Sequence, residues 1–505
     1  MVRGFTSRRK YPTAHRLGGS PEPYGILPAS FDFPNCPLYK YDVAEYWVDH
    51  RGNHHWQEKA AGMTEISHGR KISWRLSFDF PFLFPVVLVA LVLRLVVMAF
   101  LYTEQLDPAR DHWKFAYETG RIARSLATGR GFSSPLFADT GPTAFLTPVY
   151  PAIIAVIFKL FGVYSKASAF VILILQALIS SLTSVPVFFF ARKSFGDRVA
   201  YWSAWAWALF PYGVYFSVER IWSTWLSTLL LSILFLMALS MNGATRIWGW
   251  IGFGALFGVT ALTDPVVMSV LPFLLVWMSY RLNRQGANWV RLSGVAMLAL
   301  IACVCPWFIR NYRTFHQFVP FRDTMGMELL IGNNGDTSHW RPEEIGPWHN
   351  IEDWDEFKQL GELAYMARDK RWAMTFITTH PGRFLVTTVR RMVYLWTGFW
   401  SFNPRYLSQE PLDVPNIFFS TSFTLLTFIG LWRAFRHHSI EAALYAAVLL
   451  SFPLVYYVTH VEVYYRRQID PMMVVLAVYA IVTMMGKRVE TGERQRQELE
   501  PVHQM

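Results

Sequence analysis

Apolar runs of membrane-crossing length recur along this chain, separated by short polar turns. They lie at about residues 80–102, 167–191, 199–217, 222–241, 247–263, 265–280, 292–309, 417–434, 441–459 and 469–486. Each approaches the roughly 20 residues that carry a helix across about 30 Å of hydrocarbon. In lipid a helix satisfies its own backbone polar groups, so these runs predict helices. Two further apolar stretches break the rhythm. Val149–Val163 holds Pro151 and Lys159, and Phe384–Phe402 holds Arg390 and Arg391. A full span at either would invert everything after it, so both read as juxtamembrane helices on the outer leaflet. The pattern predicts an all-α polytopic membrane protein with about 10–12 transmembrane helices and extracytoplasmic juxtamembrane helices.

The polar remainder sets orientation and domains. Short loops carrying Arg192, Lys193 and Arg198, then Arg281, Arg284 and Arg291, then Arg433 and Arg436, fall on one side of the membrane, with the segment holding Arg70, Lys71 and Arg75 and the tail holding Lys487 and Arg488. The positive-inside rule puts that side, and both termini, in the cytoplasm of an inner-membrane protein. Residues 1–78 read as a disordered-looking cytoplasmic extension, 79–486 as the membrane domain and 487–505 as a cytoplasmic tail. Two extracytoplasmic regions remain, an outer loop at 103–166 and an outer region at 310–416 with an amphipathic helix from about Trp354 to Thr379. Of the 505 residues, 53% are hydrophobic and 17% aromatic, at a mean hydropathy of +0.22, which excludes an ordinary soluble chain. The net charge of +11 follows from the basic loops, so nucleic acid is not expected as a partner and membrane lipids are. Three cysteines give no disulfide framework, and no cleavable signal peptide is expected because the first apolar run starts near residue 80.

Candidate chemistry gathers where the first span ends. Asp107, Asp111 and Glu118 follow within a few turns of chain. A helix from Asp111 to Leu126 would place Asp111 and Glu118 on one face. Carboxylates there suit a general base on an acceptor hydroxyl, or ligands to a divalent cation, the one cofactor the sequence leaves open. They equally suit a solvated helix paired to Arg110, Lys114, Arg121 and Arg124. Glu219-Arg220 forms a charged turn on the same side, and Asp264-Pro265 another. Arg94 lies inside the first span and must face protein, water or a phosphate, or snorkel to headgroups. Arg310 and Arg313 leave the seventh span, and Tyr465, Arg466 and Arg467 precede the last, setting arginines at the outer surface against the prevailing bias. Their fork matches phosphate oxygens, of a specific ligand or of bulk anionic lipid.

Glu118-Thr-Gly-Arg-Ile-Ala-Arg-Ser-Leu-Ala-Thr-Gly129-Arg-Gly131-Phe132-Ser resembles the first outer loop of bacterial C-type (GT-C) glycosyltransferases of the family 39, protein-mannosyltransferase and aminoarabinose-transferase (ArnT-like) kind. Pro148-Val-Tyr150-Pro151 is similar to their Pro-Pro-Leu-Tyr-Pro element, Pro306-Trp307 with Arg310-Asn311-Tyr312 and Gly332-Asn333-Asn334 to the opening of their large outer loop, and Tyr465-Arg466 with Asp470-Pro471 to their C-terminal Arg-Tyr-Arg element. The resemblance implies a cell-envelope enzyme that transfers a sugar from a polyprenyl-phosphate donor to a glycan, lipid or protein acceptor, with inversion. It implies an acid after the first span as base, a second acid at Glu219, and a place for Tyr150 in the substrate site. The family's Asp-Glu pair reads Asp111-His112 here, which leaves Asp111 and Glu118 as competing catalytic acids. No Lys precedes the Pro-Val-Tyr-Pro element, against lipid A as acceptor. The alternative from another class is a lipid-linked saccharide transporter or flippase, with which an intramembrane Arg94 is compatible.

Overall fold

The structure, a computed structural model, describes residues 46–48, 54–56, 76–101, 115, 117–335, 345–347, 351–400, 413–462 and 464–499. The chain divides into two compact units, Met1–Trp74 and Arg75–Met505. In the first, β1 (Tyr46–Val48) pairs antiparallel with β2 (His54–Trp56), Trp47 opposite His55.

The second unit is helical. Its first helix, α1 (Leu76–Leu101), shows why the apolar pattern works. Leu83, Val86, Ala90, Arg94 and Met98 are buried along one stripe, while Phe84, Leu88, Val92, Val96 and Phe100 are exposed. A helix that exposes large apolar side chains on most of its circumference has lipid as its solvent. Among the described residues six helices are long and apolar enough to cross a membrane: Pro81–Leu101, Lys166–Phe195, Trp289–Phe315, Val414–His437, Ser439–Val458 and Arg467–Met485.

The other four expected spans are shorter or broken. The run 222–241 becomes α8 (Thr224–Ser240) and 247–263 becomes α9 (Ile247–Ala261). The run 199–217 splits into α6 (Asp197–Ala208) and α7 (Pro211–Glu219). Phe210 sits between them with ψ 116°, the extended setting that a following proline enforces. The run 265–280 opens as a 3₁₀ turn, Pro265–Ser269, before α10 (Leu271–Arg284). The long second span likewise changes helix at Thr183, between α4 (Lys166–Leu182) and α5 (Ser184–Phe195).

α9 packs on α11 (Trp289–Phe315) through small residues. A Cβ on Gly254 would lie 1.9 Å from the Ala296 carbonyl oxygen, and one on Gly258 2.7 Å from the Cys303 Cβ. This Gly-x-x-x-Gly spacing brings two backbones together where lipid supplies no hydrophobic drive between helices.

The two off-rhythm stretches form α3 (Val149–Phe161) and α15 (Pro381–Thr397). Both fall short of the crossing criteria. The expected amphipathic helix from Trp354 is two helices, α13 (Ile351–Leu360) and α14 (Glu362–Thr379), parted by Gly361 at φ 76°. In the outer loop, α2 (Glu118–Ala127) begins only at Glu118, after Tyr117 with φ 40° and ψ −111°. The chain is not helical at Tyr117, so a continuous helix over 111–126 is corrected; Asp111 itself lies outside the described residues. The remaining helices are α12 (Met325–Gly332), α16 (Asp413–His437), α17 (Ser439–Ser451), α18 (Leu454–Val458) and α19 (Asp470–Leu499), the last preceded by a 3₁₀ turn, Arg467–Ile469.

Candidate active site

Helix breaks and turns bring the acids and arginines to one end of the bundle. The Val149 amide donates to the Leu262 carbonyl at 3.2 Å, joining α3 to the turn after α9. Gln468 Nε2 reaches Asp264 Oδ2 at 2.8 Å, and the Arg220 guanidinium stands 5.2 Å from the Tyr464 ring. At the other end the basic short turns are tied to one another instead. There Arg281 donates to the Ala238 and Leu239 carbonyls, Gln285 Oε1 accepts from the Gly243 amide, and Tyr445 meets Ser194.

Glu118 is a strongly perturbed carboxyl at the first end. Burial pushes it up to about 7. Its own backbone hydrogen bond and Arg121 and Arg322 pull the other way, while Glu328 adds to the rise. Arg322 Nη2 lies 3.7 Å from Glu328 Oε1, and Glu328 Oε2 lies 3.3 Å from His460 Nδ1. His460 Nε2 hydrogen-bonds the Tyr465 hydroxyl at 2.8 Å, and the Tyr465 ring stacks on Tyr456 at 4.6 Å. Burial opposes the charge on Arg322, yet Glu328 and Asp264 hold its pKa above the ordinary value. The Tyr465 hydroxyl, raised well above a free phenol chiefly by burial, stays protonated. Glu118, Glu328, Arg322, Asp264, His460 and Tyr465 thus make one electrostatic cluster drawn from four separate stretches of chain. A carboxyl that titrates near neutrality beside a fixed guanidinium can take a proton from a hydroxyl while a leaving anion is neutralised.

The other sequence candidates fall as follows. Asp107 and Asp111 lie outside the described residues. Glu219 is gripped by Arg220 through two hydrogen bonds. The Tyr150 hydroxyl donates to Gln176, whose amide also receives the Trp222 N–H and donates to the Ser217 and Arg220 carbonyls. Arg94, fully buried, donates to Ser180 Oγ and to the Ala90 and Ala208 carbonyls. Arg310 donates to the Thr143 and Phe132 carbonyls and to Asn311, and Arg313 is exposed. Arg466 and Arg467, 2% and 1% exposed, share Asp470; Arg466 also donates to the Leu395 and Trp396 carbonyls, and Arg467 lies 3.5 Å above the Tyr212 ring.

Arg322 and Glu328 were not singled out from sequence. For Glu328 a signal existed: it is the one charge in the apolar run Met325–Ile331, where an ionised side chain needs a partner. Arg322 carries no comparable mark, being an ordinary cation in a polar loop. Among the described residues no group of three His, Cys, Asp or Glu is placed to hold a metal ion.

Residues 144–308 match the family model for dolichyl-phosphate-mannose-protein mannosyltransferases. No curated protein matches the sequence. Among solved structures the chain is similar to the archaeal oligosaccharyltransferase AglB from Archaeoglobus fulgidus in complex with an inhibitory peptide and a dolichol-phosphate, at 14% identity and a TM-score of 0.50, over 86% of this chain and 53% of that one. The apo form of the Archaeoglobus fulgidus oligosaccharyltransferase gives 12% identity and a TM-score of 0.50 over 85% and 53%. ArnT from Cupriavidus metallidurans bound to undecaprenyl phosphate gives 15% identity and a TM-score of 0.37 over 85% and 82%. The chain spans about half the length of the oligosaccharyltransferases it matches. At such identities the oligosaccharyltransferase likeness is one of fold, and it agrees with the helical architecture: the chain is an all-α polytopic membrane protein that shares its fold with the matched part of these oligosaccharyltransferases.

Proposed function

We propose that the protein is an integral-membrane glycosyltransferase that moves a sugar from a polyprenyl-phosphate donor to an acceptor hydroxyl at the extracytoplasmic surface, with inversion. The observation that carries the reading is Glu118, with its pKa near 7, inside the Arg322–Glu328–His460 cluster. Ionised Glu118 accepts the acceptor's hydroxyl proton as that oxygen attacks the anomeric carbon. The bond from that carbon to the phosphate oxygen breaks, and the electron pair leaves with the lipid phosphate. Arg322 offers the preorganised cation that the departing phosphate needs. Arg466, Arg467 and Arg310 are committed to protein acceptors, which favours Arg322 for that task. The family description names a lipid-phosphate mannose donor and a protein acceptor, and one archaeal relative was solved with a dolichol-phosphate. Both support a lipid-phosphate donor here; the acceptor class stays glycan, lipid or protein. Glu118, Glu328, Asp264 and Glu219 stand at one end of the bundle, which supports an enzyme working at one membrane face over a carrier. The membrane would be the inner one, with both termini cytoplasmic.

Purified protein incubated with polyprenyl-phosphate sugars should release polyprenyl phosphate. Glu118→Gln keeps the side chain's shape but cannot take a proton, and should slow release by roughly 10²–10⁴. The base must be ionised, so wild-type activity should climb through a limb centred at about 7 and be weak below it. Normal turnover in Glu118→Gln together with loss in Asp111→Asn would move the base to Asp111. Normal turnover in both would sink the enzyme reading of this loop.

A further inference from the structure

A second pair of acids stands beside the candidate site without belonging to it. Glu362 opens α14. Its Oε2 accepts from Thr143 Oγ1 at 2.5 Å and its Oε1 from the Ala144 amide at 2.7 Å. The next chain over returns the contact, since the Asp323 amide donates to the Ala144 carbonyl at 3.1 Å. Both carboxyl oxygens of Asp323 are buried and receive no hydrogen bond, and the group's strongest interactions are with Glu362. Two charges face the pair from its neighbours: Arg322, adjacent to Asp323, and Arg310 of α11, whose guanidinium is engaged with the Thr143 and Phe132 carbonyls. The segment being held is a small hairpin, with the Ser134 amide on the Gly141 carbonyl and the Thr143 amide on the Phe132 carbonyl.

An ionised carboxylate buried with no donor is costly, and two adjacent ones more so. Glu362 has its donors, Thr143 and Ala144. Asp323 has none, and it is relieved by keeping its proton and turning it toward Glu362. Burial raises both acids, Asp323 well above the ordinary carboxyl range. We propose that Asp323 and Glu362 share one proton, held on Asp323 and donated to Glu362, and that this proton is a clasp fastening the 132–147 hairpin to the 321–324 segment that carries Arg322. The clasp does not depend on what the neighbouring site does, so its failure and that of the glycosyltransferase reading are separate events.

The sign follows from the direction of the shift. The folded pair binds its proton more tightly than the unfolded chain does. Closure is therefore fully stabilised at acid pH, weakens as pH rises from the ordinary carboxyl range to the pair's own raised pKa, and is level above that. Hydrogen exchange of the full chain in detergent, read on peptides covering 141–147 and 321–325 and corrected for intrinsic rates, measures the opening. Opening should therefore increase as pH is raised from 5 to 9. Asp323→Asn donates to Glu362 at every pH and should remove most of that slope while staying closed. Glu362→Gln can accept only one of the two donors, so its exchange should be fast at every pH. Opening in the wild type that does not change with pH, or a slope that survives in Asp323→Asn, overturns the clasp.

Discussion

A guanidinium inside a membrane helix needs acceptors, and Arg94 takes them from the broken helix beside it. The interruption after Ala208 leaves carbonyls at the α6 C-terminus without helical donors, and Arg94 Nη1 donates to the Ala208 carbonyl at 3.0 Å. Gly213 of α7 leaves room for the second amino group, since a Cβ there would sit 3.1 Å from Arg94 Nη2. Arg94→Met should therefore lower the stability of the solubilised protein by about 1–3 kcal/mol, the cost of orphaning a buried acceptor, with donor saturation of the folded fraction unchanged. A normal melting temperature with weakened donor saturation would return Arg94 to a ligand-binding role. The side chain was conspicuous in the sequence, but its partners were not, because the acceptors are backbone carbonyls whose availability depends on where α6 stops. Glu118 was legible as an acid at the mouth of a span. Its raised pKa was not, since that comes first from burial in the folded chain, with Glu328, more than 200 residues away, adding to the rise.

At the scale of elements, composition identified what is helical, and proline and glycine decided where helices stop. Pro211 interrupts a run that hydropathy alone reads as continuous, because a window average is blind to one missing backbone donor, and Pro265 opens its run as a 3₁₀ turn. Gly361 does the same between α13 and α14. The Gly332-Asn333-Asn334 element was visible in the sequence as a similarity, and the structure gives it a physical task. Arg391 of α15 donates to the Gly332 carbonyl, Asn333 Oδ1 and the Tyr457 and Val458 carbonyls, and Asn333 Nδ2 donates to Leu329 and Val458. Three helices, α12, α15 and α18, meet there. A Cβ on Gly332 would lie 1.8 Å from the Thr459 carbonyl oxygen, whereas one on Gly335 meets nothing within 4 Å. Gly332→Ala should destabilise by about 1–3 kcal/mol through overpacking, and Gly335→Ala should be close to neutral in the same thermal melt. Equal melting temperatures for the two variants would mean that the junction yields without cost.

The whole molecule is polarised, and its two ends differ in what their turns hold. One end gathers Glu118, Glu219, Asp264, Arg322, Glu328 and His460, tied through Gln468, Tyr464 and Tyr465. The other gathers the short basic turns, with Arg281 capping α8 and Arg433 on Thr483 of α19. Such segregation was legible because charge bias and span parity are properties of the entire chain, so an error at one helix is checked by the others. The proposed topology puts the basic end in the cytoplasm, as the positive-inside rule asks. Phe137, half exposed in the 132–147 hairpin, and Arg284, exposed at the end of α10, report on opposite ends. In a background with Cys36, Cys303 and Cys305 replaced by Ser, a cysteine at Phe137 should react with a membrane-impermeant maleimide on intact cells. One at Arg284 should react only after the membrane is opened. Labelling of both sites in intact cells would show a leaky or misinserted protein. Labelling of Arg284 alone would invert the topology, move Glu118 and Arg322 to the cytoplasmic face, and require the donor lipid phosphate to be presented from inside.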